Sequence, residues 1–81
     1  MLTVTYAIDY LDTNPTTMSF DNLNEAHDWI HDEVAQRVQW AVDHSPYTLS
    51  EADIQDLEAT EYTLITISKD GFAAPYETWK A

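Results

Sequence analysis

Hydrophobic and polar residues alternate without a break over residues 2–11, "LTVTYAIDYL". Leu2, Val4, Tyr6, Ile8 and Tyr10 share one side, and Thr3, Thr5, Ala7 and Asp9 share the other. A period of two predicts a strand with one buried face. The stretch "DTNPTT" then reads as a turn, and "MSF" (18–20) as a short returning strand. From Asn22 to about Asp43 the apolar spacing changes to that of a helix. Asn22 suits the N-cap, with Glu25 three residues on to complete a capping box, and Ser45-Pro46 ends the run. At 1.5 Å per residue such a helix is roughly 33 Å long. A second, shorter helix is predicted from the cap Ser50 to about Ala59, with Asp53 at its third position. Residues 61–69, "EYTLITISK", are rich in strand formers, Asp70-Gly71 is a hairpin turn, and Pro75 confines the tail to a sheet edge. The order β-β-α-α-β-β predicts an α+β domain spanning residues 1–81. Its small antiparallel sheet, of three or four strands, carries one long and one short helix on one face.

On a helical wheel with Asp21 at zero, the long helix is two-sided. Leu23, Ala26, Ile30, Val34, Val38 and Ala41 fall between about 140° and 260°. Glu25, Asp28, Asp32, Gln36, Gln39 and Asp43 fall within about 60° of zero, on the opposite side. Acids therefore neighbour acids three and four residues apart, where ordinary surface helices pair acid with base. The second helix repeats the theme with Glu51, Asp53, Asp56 and Glu58. Eleven acids and one base, Arg37, lie between residues 21 and 61.

Composition sharpens this picture. The chain holds 15 acids against three bases, a net charge of −12 over 81 residues. A small domain needs only about 2–8 units of net charge to stay dispersed, and the excess repels itself in the compact state. The sign disfavours DNA, RNA and anionic membranes as direct ligands. Hydrophobic residues make up 44%, enough for one modest core, and no cysteine is present to form a disulfide or a thiolate metal site. The N-terminus alternates instead of carrying a signal peptide, and the apolar runs are too short to span a bilayer. A soluble, cytoplasmic protein is expected, as a monomer or homodimer.

His27-Asp28-Trp29-Ile30-His31 is one side chain away from the zinc-protease pattern H-E-x-x-H. Both histidines fall on the shoulder of the apolar stripe. Asp28, which would replace the glutamate base, points towards the acidic side, and His44 is too far along the helix to be a third ligand. The spacing therefore predicts boundary histidines that pack an edge against the core. A single glycine cannot form a phosphate-binding loop, and no nucleophile elbow occurs. Neither catalysis nor a cofactor is expected. Trp29 and Trp40, eleven residues apart, fall together at about 80–100°, between the acidic and apolar sides. That flank suits either packing under the sheet edge or anchoring a partner.

A very acidic, cysteine-free α+β domain of this size with a carboxylate-striped helix resembles the small phage-encoded inhibitors of host defence. These are the anti-CRISPR proteins and the DNA-mimic anti-restriction proteins. The resemblance is one of overall character, and no functional residue is carried over from it. It implies binding to the basic nucleic-acid channel of a Cas effector or restriction-type complex and exclusion of target DNA. From the charge pattern itself, the candidate contact residues for such a basic partner are Glu25, Asp28, Trp29, Asp32, Glu33, Asp43, Asp53 and Asp56. The competing expectation is an acidic accessory module whose charge is an adaptation to salt.

Overall fold

Residues 1–7 and 15–79 are described by a computed structural model of the chain. Two antiparallel hairpins meet in one sheet. Strand β1 (Leu2–Tyr6) pairs with β2 (Thr16–Phe20) on one side and with β3 (Ile65–Lys69) on the other, and β3 pairs with β4 (Phe72–Pro75). The order across the sheet is β2-β1-β3-β4. Register follows from the period-two pattern: Val4 lies between Met18 and Ile67, while Thr5 lies between Thr17 and Thr66. Leu2, Val4, Tyr6, Ile65 and Ile67 are buried on one face, and the threonines and serines that alternate with them occupy the other. A slip of one residue would exchange the two sets, so the burial itself fixes the pairing.

Helix α1 (Leu23–Asp43) lies over the buried face and contributes Ala26, Ile30, Val34 and Val38 to the core. Those four recur every fourth residue, a narrow stripe within the predicted apolar arc. Asn22 caps it, its side-chain oxygen accepting from the Glu25 N–H at 2.9 Å. A helix of 21 residues is about 31 Å long and a strand of five about 17 Å, so α1 overreaches the sheet. Helix α2 (Glu51–Tyr62) runs back along that overhang, with Ile54 and Leu57 half-buried against the core and no residue fully enclosed. Its start is fixed by a complete capping box between Ser50 and Asp53.

Element order and class follow the sequence pattern, with three boundary corrections. Strand β2 begins at Thr16, two residues before the predicted start, because Thr16 and Thr17 pair with Tyr6 and Thr5. Glu61 and Tyr62 belong to α2 and not to the following strand. The helix holds them because Glu61 faces Tyr6 and Tyr62 faces His31, contacts that a strand from residue 61 would forfeit. The edge strand β4 ends at Pro75, and the chain turns into a short helix α3 (Tyr76–Trp79) that inserts the Tyr76 ring into the core at 2% exposure. The predicted continuation of the first strand through residues 8–11, and the turn at 12–14, lie outside the described residues.

Asp70 and Gly71 both have positive φ, 53° and 83°. That is the backbone of a two-residue hairpin turn whose twist matches the flanking strands.

Candidate interaction surface

The helical layer sorts its charges by depth. Glu25, Asp28, Asp32 and Asp43 of α1 are exposed, as are Asp53 and Asp56 of α2. Two of them have local duties: Asp43 accepts from the Gln39 amide at 2.8 Å, and Asp53 closes the capping box with the Ser50 N–H at 3.2 Å. Asp21, Glu51 and Glu58 are exposed as well. On α1 the acids share the outward side, in a run broken by Gln36 and Gln39. On α2 they divide into two flanks, because Asp53 and Asp56 lie roughly half a turn from Glu51 and Glu58.

Two predicted contact residues sit deeper. Glu33 is half-buried and borders the same cavity as Arg37, off the outward stripe. Trp29 is half-buried too, its ring centroid 5.9 Å from that of Phe20, so it packs at the sheet edge over β2. Trp40 shares its flank but is 63% exposed and stacked on His44 at 4.1 Å. The exposed indole of this surface is therefore Trp40, and Tyr47 in the connection to α2 is exposed as well, at 69%. Neither was among the predicted contacts, because the wheel gives angle and not height along the helix.

Arg37 is the one base of residues 21–61, and the fold draws it inward. Its guanidinium carbon lies 4.4 Å from the centroid of the Tyr6 ring, and its Nε is buried without a hydrogen-bond partner. The Tyr6 phenol donates to Glu61. Burial raises the pKa of that phenol well above its ordinary value, and the hydrogen bond to Glu61 and the carboxylate's charge push it the same way. Arg37 opposes the shift and Glu33 adds to it. Arg37 thus lies half-buried over the Tyr6 ring and borders the groove between the helices, apart from the outward acidic stripe. Sequence carries one hint of this: a lone cation among eleven acids.

The two histidines of "HDWIH" hold aromatic rings. His27 is half-buried and meets Tyr76 edge-on at 5.3 Å, with its Nδ1 buried and unpartnered. His31 is exposed and places Nδ1 2.6 Å from the Tyr62 hydroxyl, with Nε2 3.4 Å from that of Tyr76. The phenols of Tyr62 and Tyr76 are both raised by burial. Among the described residues no three His, Asp or Glu side chains converge as metal ligands, and no helix there is long and apolar enough to cross a membrane.

Between α1 and α2 runs a groove. Near the sheet it opens into a cavity of about 530 Å³ bordered by Glu33, Arg37, Trp40, Ala41 and Glu61. Towards the helix connection it continues as a cavity of about 430 Å³ bordered by Ala41, Tyr47, Leu49, Asp53, Asp56 and Leu57. Compared with known proteins, the chain matches no family model, no curated protein and no solved structure.

Proposed function

We propose that this protein is a non-enzymatic inhibitor that docks its acidic helical layer on the basic nucleic-acid-binding site of another protein. One observation carries the reading. Among the described residues of α1, α2 and their connection, every exposed Asp, Glu, Lys or Arg side chain is an acid, and the single base is tucked over Tyr6. A surface that served only to stay hydrated would gain a few tenths of a kcal/mol from each acid–base pair along a helix. Here that gain is forgone and eight carboxylates are exposed to solvent. Carboxylates one helical turn apart lie roughly 5–6 Å from each other, comparable to successive phosphates on a nucleic-acid strand.

A Lys/Arg-lined groove built for phosphates would accept such a row. The resemblance to anti-CRISPR and anti-restriction proteins makes a Cas effector or restriction-type complex in the cytoplasm the first partner to try. Charge of this kind mainly speeds encounter and orients the dock. The test is capture of partners from a host lysate at low and high salt, followed by affinity measurement with the captured protein. Reversing Asp28 and Asp32 together to Lys is expected to weaken binding more than tenfold at low salt, and wild-type affinity is expected to fall steeply as salt rises. Affinity indifferent to both salt and charge reversal would discard the proposal.

A further inference from the structure

The outward stripe explains attraction to a basic site but not selection among basic side chains. The groove between α1 and α2 has chemistry that selects. Ala41, Leu49 and Leu57 give it an apolar wall between Ser45 and Thr60, and the exposed ring of Tyr47 borders the half nearer the helix connection while that of Trp40 borders the half nearer the sheet. Asp53 and Asp56 border the half nearer the helix connection, while Glu33 and Glu61 border the half nearer the sheet.

The two halves are not equivalent. Arg37 borders only the sheet-proximal half, and there Glu61 already accepts the Tyr6 phenol. A foreign cation in that half meets a like charge. The distal half has the two aspartates and no base among its lining residues. We propose that this distal half, with the exposed ring of Tyr47 on its border, is a docking site for an arginine-bearing segment of a partner protein.

The choice of arginine follows from the wall chemistry. An arginine stem can lie along the apolar wall while its planar head stacks on an aromatic face and forks onto a carboxylate. A lysine head is a compact, strongly hydrated point charge that gains little from an aromatic rim or a bidentate geometry. A second copy of this chain is a poor occupant, since each copy carries a net charge of −12. Nucleic acid is excluded by the same sign. The inference rests on the reading of a cationic partner given above and adds the side chain that the groove recognises.

The experiment uses ¹⁵N-labelled protein titrated with two synthetic peptides of equal length and charge. One carries three arginines and the other three lysines. The backbone amides of Tyr47 and Leu57 report on the distal half, and the Trp40 indole on the sheet-proximal half. The arginine peptide is expected to move the Tyr47 and Leu57 signals more than that of Trp40, and to bind at least about threefold more tightly than its lysine counterpart, in keeping with one exposed cation–π contact. Tyr47→Ala combined with Asp56→Asn is expected to abolish that preference. Both side chains are exposed, so circular dichroism should be unchanged.

Equal binding of the two peptides, or an arginine preference that survives the double substitution, would overturn the groove site. The companion variant reverses Asp28 and Asp32 on the outward stripe. Loss of binding there, with no effect of the groove substitutions, refutes the groove and leaves the charged docking surface standing. Dependence on the groove, with none on Asp28 and Asp32, supports the groove and discards the stripe.

Discussion

The guanidinium carbon of Arg37 lies 4.4 Å from the centroid of the Tyr6 ring, and the phenol of that ring donates to Glu61. Three elements meet in this contact, since Tyr6 ends β1, Arg37 sits midway along α1, and Glu61 is in the last turn of α2. The arrangement ties the helical overhang to the sheet. It also holds the one base of residues 21–61 apart from the outward acidic stripe.

Arg37 is therefore expected to contribute to stability through its packing as well as its charge. Arg37→Ala loses the stacked cation and the stem beneath it, a destabilisation of about 1–2 kcal/mol in urea titration. Arg37→Lys should restore only part of the loss, because an ammonium does not stack as a planar guanidinium does. Full recovery with lysine would show that charge alone matters at this position.

The buried Tyr6 phenol gives a dependence on alkaline pH. An unfolded tyrosine ionises near pH 10, whereas the folded Tyr6 holds its proton to a higher pH. Above about pH 10 the unfolded state has released a proton that the native state retains, so stability falls with rising pH. Below that point the contribution is fully present. For Tyr6 the slope is about 1.4 kcal/mol per pH unit at most. Tyr62 and Tyr76, also raised, act in the same direction. Tyr6→Phe should flatten the decline between pH 10 and 11 in chemical denaturation. An unchanged slope would assign the alkaline loss to other groups.

Local signals made most of this fold legible in the sequence. Asn22 and Ser45-Pro46 mark the ends of α1, Ser50 with Asp53 marks the start of α2, and Asp70-Gly71 marks the second hairpin. The boundary between α2 and β3 was hidden, because "EYTL" is good strand material and the contacts that favour helix at Glu61 and Tyr62, to Tyr6 and His31, lie 55 and 31 residues away. The fates of the two tryptophans were equally hidden. Trp29 and Trp40 share an angle on the wheel, but eleven residues of helix separate them by about 16 Å. Phe20 of β2 meets the first, whereas the second is 63% exposed.

Gly71 tests the hairpin. Its φ of +83° is one that residues with a Cβ rarely adopt, yet a Cβ placed there would meet nothing within 4 Å. The cost of Gly71→Ala is therefore backbone strain without a clash, about 1 kcal/mol. Thermal or urea unfolding measures it. A loss of several kcal/mol would mean that the turn tolerates no adjustment, and a gain would mean that the backbone relaxes away from positive φ.

The outward acids should be costly to the fold that carries them. Asp28 and Asp32 are both exposed and four residues apart on α1, a spacing at which like charges oppose helix formation by a few tenths of a kcal/mol. Asp32→Lys converts that repulsion into an acid–base pair in the favourable order and lowers the magnitude of the net charge. It should raise stability by about 0.5–1 kcal/mol at low salt. Added sodium chloride should stabilise the wild type and have less effect on the variant, because screening relieves the same repulsion. The measurement is thermal unfolding of both proteins across a salt series. If Asp32→Lys lowers the melting temperature instead, the carboxylate serves the fold itself, and its exposure on α1 ceases to argue for a partner. If the variant is more stable yet binds the basic target less well, this position trades stability for recognition.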